Sequence, residues 1–342
     1  MAYSTISKPS LYFNTKLYTG NGSTNAITGV GFQPDWTWIK DRDATDWHFL
    51  TDAVRGATKT LSSNANNAET TQATALTAFG SDGFTVGSDG SVNRNSENFV
   101  SWNWKANGAG SSNSNGSITS SVSANTTAGF SIVSWTGNSG TVGHGLGVKP
   151  AMIIVKSRQT ANNWVVIHQG LTGGMDTNIL VLNTNGAESS GGSGMAEPTS
   201  SVFTITSGLA SNDNNIGYVF AEKKGYSKFG SYTGNGNSNG VFIYTGFKPA
   251  WVMVKKSNST SNWSILDNKR LGFNSSVSPR EVYANSNDQE YDSNRFDIIS
   301  NGFKLRTSGG DGNGSGDTYI YMAFAEEPLV ANVGASIPAT AI

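Results

Sequence analysis

Three stretches of the chain carry nearly the same residues in the same order, and such a chain must fold as related modules. Leu17-Tyr18-Thr19-Gly20, Ser134-Trp135-Thr136-Gly137 and Ser231-Tyr232-Thr233-Gly234 open the three stretches. Each is followed by a Gly/Pro turn and an apolar run that ends in lysine: Trp36-Thr37-Trp38-Ile39-Lys40, Met152-Ile153-Ile154-Val155-Lys156 and Trp251-Val252-Met253-Val254-Lys255. A tryptophan follows at a near-constant distance, at Trp47, Trp164 and Trp263. The period is about 100 to 117 residues, the size of a domain rather than of a solenoid repeat.

The correspondence runs to the end of each stretch. Gly83-Phe84-Thr85-Val86, Val202-Phe203-Thr204-Ile205 and Gly302-Phe303-Lys304-Leu305 align, as do the closing runs around Trp102, Tyr218 and Met322. The first and third stretches share an Asp-x-x-Arg pair, Asp52 with Arg55 and Asp267 with Arg270; the second has Val166-Ile167-His168-Gln169 in that place. Placement at equivalent positions reads as a structural ion pair of the module rather than as substrate-binding groups.

The runs set the fold class. Trp36-Thr37-Trp38-Ile39 and Trp102-Asn103-Trp104 alternate as half-buried strands do, while Met152–Val155 and Trp251–Val254 are continuous and fit strands covered on both faces. With 41 glycines and many Asn, Ser and Thr to build tight turns, the expected fold is all-β, three tandem β-sandwich or jelly-roll repeats. The expected division is residues 1–106 for the first sandwich with a short N-terminal arm, 107–128 for a flexible Gly/Ser/Asn-rich linker, 129–226 and 227–330 for the second and third sandwiches, directly abutted, and 331–342 for a small-residue tail. Residues 65–76 are the best helical candidate.

Composition narrows function. A formal charge of −1 with 14% charged residues lacks the basic surplus of a nucleic-acid binder. No cysteine is present, which excludes disulfides, thiolate metal sites and a cysteine nucleophile. No apolar core of a signal peptide follows Met1 and no window reaches a membrane span, so synthesis in a cytoplasm is expected and a membrane partner is not.

No residue earns a catalytic, cofactor-binding or metal role. His48, His144 and His168 fall in different modules without ligand spacing. Asp311-Gly312-Asn313-Gly314-Ser315-Gly316-Asp317 looks like a calcium loop but lacks the EF-hand glutamate and sits where a long hairpin would carry the same residues. Gly20-Asn21-Gly22 and Gly234-Asn235-Gly236 follow strands without opening helices, so they read as turns, not phosphate cradles. Trp36, Trp47, Trp164, Trp251 and Trp263 recur by position and read mainly as core.

Leu17-Tyr18-Thr19-Gly20-Asn21-Gly22, Gly31-Phe32-Gln33-Pro34-Asp35-Trp36-Thr37-Trp38-Ile39-Lys40, Gly225–Gly236, and Asn301-Gly302-Phe303-Lys304-Leu305-Arg306 with Tyr319–Glu326 resemble a family of virion structural proteins of marine tailed phages, often called tail or tail-fibre proteins. The resemblance covers nearly the whole chain and brings no catalytic residues. It implies a non-enzymatic virion surface protein assembled in a host cytoplasm, a tail fibre or receptor-binding appendage with lectin-like sandwiches. The partners it implies are other virion proteins, further copies of the chain in a homo-oligomer such as a trimer, and host surface glycans, bound weakly per module and strengthened by copy number. Three alternatives stand beside it, a capsid decoration or head fibre protein, a glycan depolymerase and, disfavoured by the missing export signal, a soluble bacterial adhesin. The recognition loops would be those where the modules differ, residues 65–74, 186–197 and 275–293.

Overall fold

Each apolar run that ends in lysine becomes an inner strand of its own antiparallel sheet in the computed structural model, which describes residues 4–270, 280–293 and 295–328. The first sheet has the order Phe13–Thr19, Asn98–Trp104, Trp36–Asp41, Phe49–Asp52. The second repeats that order with Phe130–Thr136, Asn214–Phe220, Met152–Ser157 and Val165–His168, and the third with Ser227–Thr233, Thr318–Pro328, Phe247–Lys256 and Ser264–Asp267. In every sheet the opening strand pairs with the closing strand, which also pairs with the apolar run. A smaller sheet faces each large one. It is built on Asn25–Thr28 with Gly83–Val86, Gly140–Gly143 with Val202–Ile205, and Phe242–Tyr244 with Gly302–Leu305. The protein is all-β, with sandwiched antiparallel sheets.

The two faces of each large sheet have different neighbours. Along Met152–Ser157, Ile153 and Val155 enter a core shared with the small sheet of the same module, whereas Met152 and Ile154 enter a central core. Val252 and Val254 divide from Trp251 and Met253 in the same way. The strands are apolar throughout because both faces are buried.

The central core belongs to all three large sheets at once, so the modules are not beads on a string. They close a ring. Trp36 of the first sheet stacks on Tyr218 of the second at 4.2 Å and 17°. Phe220 of the second lies 5.9 Å from Phe229 of the third, and Phe324 of the third stacks on Phe13 of the first at 5.1 Å and 19°. Trp36, Trp104 and Trp251 are 1% exposed or less, and each such ring contributes about 0.5–1.5 kcal/mol per aromatic pair beyond its area burial.

Two expectations change here. The stretch 107–128 is not a slack tether. It carries strands Ser111–Asn113 and Ser120–Asn125, which extend the second sheet outward from Phe130–Thr136 over six paired residues. Its small polar composition reflects an edge position: Val122 and Ser123 are buried on opposite faces of the strand, and the Asn107 N–H donates to Ser123 Oγ at 2.8 Å. Residues 65–76 are not helical, because that loop is spent on contacts with the second module, described below. The only α-helix among the described residues is Gly90–Asn93, capped by the Asp89 side chain. The tail at 331–342 lies outside the described residues.

Candidate functional site

Some of the residues that sequence reasoning singled out gather at the three junctions of the ring, while His144 and the loop at 311–317 stay inside their own modules. Asp52, His168 and Asp267 hold one equivalent position, opposite Trp36, Met152 and Trp251. Asp52 and Arg55 form a fully buried ion pair at 2.5 Å, and Asp267 and Arg270 another at 2.7 Å. Each pair takes a donor from the closing strand of the next module. The Tyr218 hydroxyl donates to Asp52 Oδ2 at 2.8 Å, and Trp102 Nε1 donates to Asp267 Oδ2 at 3.0 Å. Burial works against the Arg55 charge, but Asp52, Tyr218 and Glu69 outweigh it and hold the guanidinium above its ordinary value. At the remaining junction the equivalent of Tyr218 and Trp102 is Met322, which offers no donor. There the acidic residue is replaced by His168 and the arginine by the buried Leu171; His168 Nε2 donates instead to the Tyr321 carbonyl at 3.1 Å. The missing pair in the second module is therefore matched to its neighbour.

A second bond recurs at all three junctions. Trp164 Nε1 donates to the Ser62 carbonyl at 2.8 Å, and Trp263 Nε1 to the Val181 carbonyl at 3.0 Å. The third copy comes from His48, whose Nε2 meets the Tyr283 carbonyl at 3.0 Å. His48 is buried, while Trp47 is 41% exposed. The alignment of Trp47 with Trp164 and Trp263 is thus one residue out of register. Spacing carried the signal: His48, Trp164 and Trp263 each stand four residues before Asp52, His168 and Asp267.

The loops expected to serve recognition also hold the ring. Backbone N–H groups of Glu69, Glu188 and Glu290 donate to the carbonyls of Arg158, Ser257 and Arg42 at 2.7, 2.7 and 3.0 Å. Two of these glutamates add ion pairs across the junction, Glu69 with Arg158 at 2.9 Å and Glu290 with Arg42 at 2.7 Å. Part of the stretch 275–293 lies outside the described residues.

The strand-end lysines are structural. Lys40, Lys156 and Lys255 are buried, and their Nζ atoms donate to the carbonyls of Asp41, Ser157 and Lys256 at 2.8, 2.7 and 2.6 Å. Burial pushes each amine down to about 8. The histidines are likewise held by backbone: His144 and His168 accept N–H bonds from Leu146 and Gly170 on Nδ1, and His48 accepts Trp38 Nε1–H there.

Asp311 and Asp317 face cations of the protein itself. Asp311 pairs with Arg295 at 3.2 Å and Asp317 with Lys256 at 2.7 Å. Among the described residues no group of three His, Asp or Glu side chains is placed to hold a metal ion. The Thr-Gly-Asn-Gly turns dock on buried asparagines: Asn93 and Asn313 accept the backbone N–H of Asn21 and Asn235, both at 3.0 Å. A Cβ at Gly20 would stand 2.1 Å from the Arg94 carbonyl, which fixes glycine there.

A surface cleft in the third module joins charged and aromatic groups. It encloses about 500 Å³ beside the turn between the second and third modules, lined by Glu222, Lys224, Ser227, Lys228, Tyr244 and Thr245. Glu222 and Lys228 form an ion pair at 2.8 Å. Tyr244 is 52% and Phe242 44% exposed on strand Phe242–Tyr244. No sequence repeat marks these two rings, because the first and second modules carry no aromatic residues in the corresponding strands. A smaller hollow of about 240 Å³ in the second module is lined by Ser157, Asn162, Ser211 and neighbours without charge or aromatic rings.

A family model described as a domain of unknown function (DUF7483) matches residues 8–328, and the chain belongs to that family. No curated protein and no solved structure matches the chain.

Proposed function

We propose that this member of the family is a non-enzymatic virion surface protein, a tail fibre or receptor-binding appendage that recognises host surface glycans. The observation that carries the reading is the ring. Sequence features that could have been catalytic, the Asp-x-x-Arg pairs, the three histidines and the strand-end lysines, are buried and held by bonds within the protein, the ion pairs, His48 and His168 at junctions between modules and His144, Lys40 and Lys156 inside their own. What supports a surface role is the β surface left around that ring, with clefts such as the one lined by Glu222, Lys228 and Tyr244. Three sheets of one chain share a single central core, which favours a rigid head on which surface loops are presented. Immunogold electron microscopy of intact particles with an antibody to this chain tests the assignment. Gold at the tail supports it, gold over the head replaces it with a capsid decoration role, and particles without label remove the chain from the virion.

A further inference from the structure

We infer that the free edge of strand Phe13–Thr19 takes up an extended segment of a partner protein as an added strand of the first sheet, with a carboxylate of that segment opposite Lys16. The inference does not depend on the glycan-binding reading. Phe13–Thr19 pairs on one side only, with Asn98–Trp104. The Lys105 N–H donates to the Tyr12 carbonyl and the Gly20 N–H to the Glu97 carbonyl, so the even-numbered residues bond the closing strand. Bonding alternates along an antiparallel pair, so Thr15 and Leu17 turn their backbone groups outward. Among the described residues nothing bonds those groups. Two hollows of about 290 and 350 Å³ run along this edge and share Asn14, Thr15 and Lys269. An unpaired edge lying in a groove is where an extended peptide adds by main-chain hydrogen bonds.

The other two modules show what fills this place. Trp104 and Phe220 hold equivalent positions in the closing strands, so Phe13 corresponds to Phe130 and Thr15 to Ile132. In the second module the outward edge of Phe130–Thr136 is covered by the chain's own small polar strand, Ser120–Asn125. In the third module Gln169 reaches across the junction, and its Nε2 donates to the Phe229 carbonyl at 2.7 Å. The counterpart of Gln169 at the first module is Asn268, which follows Asp267 as Gln169 follows His168 and is one methylene shorter. Asn268 Oδ1 and Thr15 Oγ1 line the same hollow and are buried without hydrogen-bond partners among the described residues. Buried polar atoms are rarely left so. Ser123 stands opposite Ile132 in the second module, and a small polar side chain in that place on an added strand would stand beside Thr15.

Charge narrows the occupant. Lys16 and Lys269 line the groove, and neither has a carboxylate at ion-pair distance among the described residues. Asp82, close enough to feel Lys16, already accepts the N–H groups of Gly29 and Gly31. The other end of the groove is lined by Glu327 and by Glu326, which pairs with Lys248 at 3.0 Å. A carboxylate on the added strand therefore belongs at the Lys16 end. A second copy of the chain fits poorly. Lys16 is the middle residue of Phe13–Thr19, so symmetric antiparallel pairing of two such edges sets Lys16 against Lys16.

The test is fluorescence anisotropy of labelled peptides against the full chain, at about 0.15 M salt where exposed charges are screened beyond about 8 Å. One probe is the chain's own segment 117–126. The other is the same peptide carrying Val122→Asp, because Val122 pairs with Val133, the counterpart of Lys16. Binding of both is expected, with the Val122→Asp peptide about threefold tighter. Lys16→Glu in the full chain should reverse that preference. Leu17→Pro removes one outward N–H, which an edge strand tolerates, and should weaken both peptides about fivefold with the circular dichroism spectrum unchanged. If the proline disturbs the spectrum, Lys16→Glu decides alone. Binding absent up to about 1 mM, or unchanged by the substitutions, overturns the site. Equal affinity of the two peptides overturns the carboxylate preference. A dimer of the free chain in sedimentation that Leu17→Pro dissociates overturns the partner, because a second copy then fills the edge.

Discussion

The Tyr218 hydroxyl donates to Asp52 Oδ2 at 2.8 Å across 166 residues of sequence, and Arg55 Nη2 reaches the same hydroxyl oxygen at 3.2 Å. A carboxylate, a guanidinium and a phenol therefore close the first junction of the ring in a space without water-exposed side-chain surface on the ion pair. Such a group is stable only when every member is present.

Tyr218→Phe should accordingly cost about 1.5–3 kcal/mol, the range for a hydrogen bond to a charged group. Asp52→Ala should cost about 3–5 kcal/mol because it strands a buried arginine. The double variant should lose less than the sum of the two. Urea denaturation of the full chain measures all three, and a neutral Tyr218→Phe would show that the junction does not depend on this bond.

The second module invites the opposite experiment. His168→Asp places a carboxylate beside Met322 and Leu171, with neither a side-chain donor from the next module nor an arginine to meet it. A loss of about 3–5 kcal/mol is expected, as for any buried charge without its partner. Leu171→Arg added to it should recover part of the loss by restoring the pattern of the other two modules. Thermal melts of the single and double variants decide this.

Acid should loosen the ring. Burial holds His48 down to about 3 and His168 to about 4, against an ordinary value of 6.5. Above that ordinary value both folded and unfolded chains carry neutral imidazoles. Below it the unfolded chain takes up protons that the folded chain refuses, so stability present in full above pH 6.5 declines towards about 4 and then 3. Each histidine contributes a slope of about 1.4 kcal/mol per pH unit in that window. Melting between pH 7 and pH 4.5 should show the decline, and His168→Gln should make it shallower.

Calcium should not stabilise the protein. Asp311 and Asp317 are each paired with a cation of the chain, and a ligand raises stability only by binding the folded state. Melting temperatures with excess calcium and with chelator should coincide; a rise of several degrees with calcium would contradict the ion-pair assignment.

Proteolysis probes the stretch between the first two modules. Strands Ser111–Asn113 and Ser120–Asn125 are paired into the second sheet, so brief digestion with a protease of broad specificity should leave 107–128 intact. Early cleavage there would restore the flexible-linker reading.

The sequence by itself determined the local choices. Runs such as Met152–Val155 declared strands with two buried faces, the turns at Gly20-Asn21-Gly22 declared themselves by glycine spacing, and the Asp-x-x-Arg pairs declared a structural role by recurring. These are readable because they depend on neighbours a few residues apart. Tertiary structure alone decided what the second buried face of each sheet touches. That Asp52 meets Tyr218, that Asp267 meets Trp102, and that His168 with Leu171 answers Met322 depend on side chains brought together from different modules. The same holds for His48 in place of Trp47: in the segment leading into strand Phe49–Asp52 one of these neighbours is buried at the junction and the other is 41% exposed, so a one-residue shift in alignment exchanges a ring-closing side chain for an exposed one. The polar stretch at 111–125 belongs here too, since serine and asparagine suit a tether and an edge strand equally, and only the presence of a strand edge to pair with settles which one forms.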